Sequence, residues 1–105
     1  MVESEMNFNE KCYELLRKVP GGKVTTYKAL AKAINTKAYR AVGNAMRNNK
    51  HPEKIPCYKV VKSNGEVGGY MGNYKNINQK INKLKADRIV IENNRVNLDK
   101  YLHKL

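Results

Sequence analysis

Apolar residues recur at Phe8, Cys12, Leu15, Leu16 and Val19, one face of a 3.6-residue period, and Pro20-Gly21-Gly22 follows with residues that stop a helix. A first helix is predicted over about Asn9 to Lys18, with Cys12 on its apolar face as a small buried hydrophobe. Thr26 can cap a second helix, Tyr27 to Ile34, that turns Leu30, Ala31 and Ile34 inward. Asn35-Thr36 is the turn into a third, over Lys37 to Arg47. Val42 and Met46 lie at i, i+4 for the core of that helix, while Arg40 and Arg47 project elsewhere. Two short helices joined by a tight turn read as helix-turn-helix.

Asn48 to Pro56 has no periodicity and contains Pro52 and Pro56, so a loop delivers Cys57. Val60-Val61-Lys62 and Glu66-Val67-Gly68 flank Ser63-Asn64-Gly65 and are expected to pair as a hairpin, with Asn-Gly supplying positive dihedrals. A hairpin after a helix-turn-helix is a wing. Ile77, Ile81 and Leu84 predict an amphipathic helix over Asn76 to Ala86, basic on its outer face, with Lys80 lending its stem to the apolar side. Ile89 to Glu92 and Arg95 to Leu98, joined at Asn93-Asn94, predict a second hairpin. The expected fold class is α+β and mostly helical: a winged helix-turn-helix domain with short β-hairpins.

The chain has 105 residues, enough for one domain with a modest core. Residues 1–7 are expected to be flexible, and 87–105 to form a C-terminal hairpin and tail. With 21 Lys+Arg against 9 Asp+Glu, the net charge of +12 points to a polyanionic partner, and a phosphate backbone rewards such charge through counterion release. No apolar run approaches the ~20 residues of a membrane span, and the N-terminus is polar and acidic, so no membrane partner and a cytoplasmic or nucleoid-associated location are expected. Cys12, Cys57, His51 and His103 show no metal-ligand spacing, so neither a metal nor any other cofactor is expected.

Cys57 is the residue with reactive potential. Pro56 restricts the backbone before it and Val60-Val61 begins a strand after it, so the thiol sits at a rigid junction, as a positioned nucleophile should. A thiol of pKa near ~8.5 needs a cation, a base or a helix terminus beside it to react at neutral pH. The alternative is a buried, inert cysteine.

Four segments resemble, in order and spacing, the C-terminal domain of the O6-alkylguanine-DNA alkyltransferases: Val24-Thr25-Thr26-Tyr27, Arg40 to Asn49, Ile55 to Val61, and Gly65-Glu66-Val67-Gly68-Gly69-Tyr70. The similarity runs from about Phe8 to Ala86, and Arg95 to Tyr101 looks like the tail of short members. The separate N-terminal domain of many members is not expected here. The resemblance implies a monomer that binds double-stranded DNA containing O6-alkylguanine and flips the damaged nucleotide into a pocket behind the recognition helix. It assigns Cys57 as alkyl acceptor, Tyr27 as hydroxyl to the flipped base, and Asn49 as brace of the active-site turn. Pro52 would line the alkyl pocket. The carbonyls of Cys57 and Val60 would accept from the exocyclic amine, and the Met71 N–H would approach O6. Tyr70 and Gly72 would belong to a closing loop. Arg40 would fill the vacated stack, and Ala41, Gly43 and Ala45 would admit the DNA backbone. Arg47, Lys37 and Tyr39 complete the expected DNA surface, Tyr39 standing where the family more often has a small residue.

The family's motif is most often Pro-Cys-His-Arg-Val. Here Tyr58 replaces the histidine and Lys59 the arginine, and ungapped alignment places Lys85 where the relay glutamate stands. Tyr58 is then expected to relay a proton if Lys59 or Lys85 lowers its pKa, or those cations to favour the thiolate directly. The function implied is irreversible, stoichiometric transfer of an alkyl group from O6 of guanine to Cys57. Two rivals are a non-catalytic alkyltransferase-like lesion sensor and a winged-helix DNA-binding regulator.

Overall fold

The computed structural model describes residues 7–70 and 74–105; the expected roles of Met71 and Gly72 lie outside the described residues. Helix α1, Phe8–Arg17, begins in a reciprocal capping box: the Asn7 side chain accepts from the Glu10 N–H, and the Glu10 carboxylate accepts from the Asn7 N–H. Cys12 and Leu16 on its inner face are fully buried. Thr26 caps α2, Tyr27–Ala33, by accepting from the Ala29 N–H at 3.0 Å. Asn35 takes a left-handed conformation (φ 59°) in the turn that leads to α3, Tyr39–Arg47. That helix starts two residues later than its apolar pattern suggests. The Thr36 hydroxyl instead accepts from the Ala38 N–H, so Lys37 stays in the turn and α3 has no side-chain cap.

Strand β1, Thr25–Thr26, pairs in parallel with β2, Val60–Val61, in the register Thr25 to Val60 and Thr26 to Val61. The period of two sends Val60 and Val61 to opposite faces, and each enters a different core. Val60 joins Cys12, Leu16, Leu30, Val42, Ala45 and Cys57 among the three helices, whereas Val61 joins Val24, Val67, Leu84, Ile89, Val96 and Tyr101. The expected wing hairpin is therefore corrected. Val60, Val61 and Val67 are all fully buried, and a two-stranded wing would leave one face of them wet. The two arms share one bond, Lys62 N–H to Glu66 O, and of the Asn64-Gly65 pair only Gly65 has a positive φ (92°). The second arm pairs instead with the C-terminal hairpin, through Val67 N–H to Asn94 O and Val96 N–H to Gly65 O.

Helix α4, Ile77–Ala86, follows a short 3-10 turn over Tyr74–Asn76. The second predicted hairpin forms as β3, Ile91–Glu92, against β4, Arg95–Val96, with Asn93 and Asn94 at φ 53° and 59° as a two-residue turn requires. A last helix, α5 (Leu98–Tyr101), seals the second core with Tyr101. Among the described residues no helix is long and apolar enough to cross a membrane.

Candidate active site and nucleic-acid interface

Cys57 opens a 3-10 turn, Cys57–Lys59, between the Asn48 to Pro56 loop and β2. Its side chain is 4% exposed, and it borders a cleft of about 710 Å³ with Tyr27, Tyr39, Arg40, Gly43, Asn44, Met46, Arg47, Lys62, Gly68 and Gly69. Six residues singled out from sequence thus share one cavity: Cys57 and Tyr27 at its floor, Tyr39, Arg40, Gly43 and Arg47 from α3. Lys37 lies in an adjoining hollow with Tyr39, Lys28 and Lys32. Ala41 is half-buried on α3, and Tyr70 is buried in the first core. Pro52 is half-buried in the loop and does not line the cleft.

Asn49, 2% exposed, holds the loop closed. Its amide donates to Ile55 O at 2.7 Å, its carbonyl oxygen accepts from the His51 N–H at 3.0 Å, and it hydrogen-bonds the Cys57 side chain. Both carbonyls expected to meet the base are already partly engaged. Cys57 O accepts from the Val60 N–H, and Val60 O accepts from Lys80 Nζ at 2.6 Å.

Burial pushes the Cys57 thiol up. The Asn49 hydrogen bond, the Lys80 charge, a backbone hydrogen bond and the Lys83 charge oppose this rise. The cations acting on the thiol are therefore Lys80 and Lys83, which corrects the expectation that Lys59 or Lys85 would do so. Lys59 is 4% exposed and donates to Pro20 O at 2.9 Å and to Asp87 Oδ2 at 2.8 Å. Lys85 is exposed and lines a separate hollow with Asn82 and Asn94.

Tyr58 is corrected as well. Desolvation pushes its hydroxyl up to about 12, reinforced by the Asp87 carboxylate, to which it is hydrogen-bonded. A phenol so placed holds its proton at neutral pH, so the lowered pKa expected from Lys59 or Lys85 is not found. Asp87, not Lys85, is the residue on α4's end that meets Tyr58, and its other oxygen accepts from the Gly22 N–H at 3.1 Å.

Sequence reasoning missed Lys80 and Asp87 as parts of this site. Lys80 is 1% exposed and donates to Val60 O and, at 3.0 Å, to Gly69 O. The signal was its position three residues after Ile77 and four before Leu84, which puts a lysine on the helix's inner face. Asp87 is the only acid between Glu66 and Glu92, and it stands at a helix C-terminus, where the dipole disfavours an anion. Such a residue requires a compensating cation, here Lys59.

A profile of the family described as 6-O-methylguanine DNA methyltransferase, DNA binding domain, matches residues 7–96. The chain belongs to this family. A bifunctional methyltransferase/endonuclease of Picrophilus torridus is 46% identical over 90 residues, covering 85% of this chain and 29% of that protein. The human methylated-DNA--protein-cysteine methyltransferase is 52% identical over 61 residues, covering 57% of this chain and 30% of its own length. The chain thus spans under a third of these two relatives. Among solved structures, the O6-methylguanine-DNA methyltransferase of Pyrococcus kodakaraensis KOD1 superposes with a TM-score of 0.67 at 41% identity, over 81% of this chain and 48% of that one. S. pombe ATL in complex with DNA superposes with a TM-score of 0.78 at 27% identity, over 100% of this chain and 98% of that one. The alkyltransferase-type helix-turn-helix fold accounts for the architecture, with α3 presenting Tyr39, Arg40, Gly43 and Arg47 to one cleft.

Proposed function

We propose that this chain repairs DNA directly, transferring an alkyl group from O6 of guanine in duplex DNA to Cys57 in one irreversible step per molecule. The observation that carries the reading is the shared cleft: the cysteine, the Tyr27 ring and Arg40 face one cavity at the surface of a +12 protein. The exposed Arg40 enters the duplex and takes the place of the extruded nucleotide. Gly43 keeps the helix surface thin there, since a methyl group at that position would meet no protein atom within 4 Å. The base enters the cleft, where Tyr27 donates to it and the carbonyls of Cys57 and Val60 receive its amine.

The Cys57 sulfur attacks the alkyl carbon, a carbon–sulfur bond forms, and the carbon–O6 bond breaks with its electron pair going to O6. Tyr27 delivers a proton to the leaving purine, which regains its guanine form, and the proton that the Cys57 thiol gave up to water is returned to Tyr27 from water. Cys57 is left as a thioether, so turnover ends after one event and no cofactor takes part. The test is a duplex whose restriction site is blocked by one O6-methylguanine. Incubation restores cleavage in proportion to protein added, and Cys57→Ser restores none; cleavage still blocked at protein excess overturns the reading.

One observation favours a second reading, a lesion sensor that binds without repair: where the family's motif has a histidine, Tyr58 stands with its hydroxyl held protonated beside Asp87. Under that reading, Cys57→Ser binds the lesion duplex as tightly as the unaltered protein, and neither clears it.

A further inference from the structure

Tyr39 opens α3 with its side chain in solvent, 48% exposed, and neither hydrophobic core includes it. Successive residues of a helix point about 100° apart, yet Tyr39 and Arg40 both border the cleft that holds Cys57 and Tyr27. Tyr39 also borders two smaller hollows outside that cleft. One, of about 360 Å³, is shared with Tyr27, Lys28, Lys62 and Ser63, and the other, of about 290 Å³, with Lys28, Lys32 and Lys37. The ring thus stands where three depressions meet, among four exposed lysines, and no carboxylate of the described residues lines any of the three. The acid that approaches them is Glu66, 3.4 Å from Lys62 Nζ in an exposed pair of little net strength, which a phosphate can replace.

We propose that Tyr39 is a second wedge beside Arg40: its ring enters the minor groove and stacks on a base adjoining the position vacated by the flipped nucleotide. The inference rests on the lesion-binding part of the reading above, which repair and sensing share. Extrusion of a nucleotide leaves its neighbours with an unstacked face. Arg40 occupies the gap itself, and the ring one residue earlier on the helix covers the flank. An aromatic side chain suits that place, because every base presents a π-face to stack on. Lys28, Lys32, Lys37 and Lys62 hold the phosphates on either side by charge, which fixes position without reading sequence.

A wedge gains its stacking only where the base step opens, so its benefit depends on how readily that step deforms. Pyrimidine–purine steps unstack easily and A-tracts are stiff. Tyr39 is therefore a specificity-determining residue for the sequence around the lesion. The unaltered side chain is expected to favour a lesion beside a pyrimidine–purine step over the same lesion set in an A-tract, and Tyr39→Ala is expected to weaken that preference.

The test is binding by fluorescence anisotropy in a Cys57→Ser background, where no transfer consumes the lesion. The O6-methylguanine duplexes compared are one intact and a set lacking in turn each base that flanks the lesion pair in the two strands. Each is titrated with the Cys57→Ser protein and with its Tyr39→Ala and Tyr39→Phe derivatives. Tyr39→Ala is expected to bind the intact duplex at least about fivefold more weakly, and that ratio to fall to about one on a duplex lacking the stacked base. Taking ratios cancels the effect of a missing base on flipping itself. Tyr39→Phe keeps the ring and is expected to bind as the tyrosine does. A ratio under about twofold on the intact duplex, or one equal across the whole set, overturns the proposal. So does Tyr39→Phe losing as much as Tyr39→Ala, which would make the hydroxyl the contact. Binding no tighter to lesion than to undamaged duplex would sink the functional reading and the wedge with it, whereas lesion-selective binding with equal ratios would sink the wedge alone.

Discussion

Replacing Asp87 by alanine removes the anion from a buried node that ties three segments together. Lys59 and Asp87 are 5% and 17% exposed at their side chains, with 2.8 Å between Nζ and Oδ2. The same carboxylate accepts from the Gly22 N–H and bonds the Tyr58 hydroxyl. In the variant Lys59 stays buried with Pro20 O as its recorded partner, and breaking a buried pair from one side costs about 3–5 kcal/mol. Against a total of ~5–15 kcal/mol for a domain this is a large share. At ~4 °C per kcal/mol the expected fall in Tm is at least ~12 °C. Urea unfolding at pH 7 measures it, and the double variant Lys59→Met/Asp87→Leu is expected to lose less than Asp87→Ala, because no unpaired charge remains. An Asp87→Ala loss below ~1 kcal/mol, the level of an exposed pair, would refute the reasoning. So would strictly additive single changes.

Thr25 Oγ1 is buried with no hydrogen-bond partner among the described residues, so Thr25→Val is expected to stabilise the protein by about 1 kcal/mol in the same urea assay. Gly65 has φ +92° and a Cβ there would stand 2.6 Å from Val96 O, so Gly65→Ala is expected to destabilise by more than ~2 kcal/mol and to loosen the C-terminal hairpin in hydrogen exchange. Lys80 is held at about 8 against an ordinary 10.5, so the unfolded chain binds the extra proton between those values. The stability of the unaltered protein relative to Lys80→Met is therefore expected to rise with pH across that window, and a flat or falling difference contradicts the placement of Lys80. Asn49→Ala removes the brace across the loop and is expected to slow methyl transfer at least ~10-fold through loss of nucleophile positioning, with a smaller change in binding to undamaged duplex.

The helices and the C-terminal hairpin were legible because their signals are local. The capping Thr26, the apolar period of α1 and the Asn93-Asn94 turn each act within a few residues. The pairing of β2 was not, because Val60-Val61 next to an Asn-Gly turn satisfies a hairpin rule as well as a buried parallel strand. The choice depends on Thr25-Thr26, a segment distant in the chain. The cleft residues on α3 and Cys57 were found through the family's motif. The partners that set the chemistry were not, since Lys80 and Asp87 act through space and an ungapped alignment set Lys85 in the position that Asp87 occupies beside Tyr58. Lys80 showed itself in the sequence only as a charge on an apolar helix face, a pattern first read as a snorkelling stem.

The central claim is that Cys57 receives the alkyl group, and peptide mass spectrometry tests it most directly. The protein is incubated with duplex DNA carrying one O6-methylguanine, digested and mapped. The account predicts a single added methyl group, confined to the peptide containing Cys57, at up to one per molecule and absent from Cys57→Ser. An unmodified Cys57 after incubation with excess lesion duplex, in samples where the protein binds that duplex selectively, would contradict it and establish lesion sensing in its place.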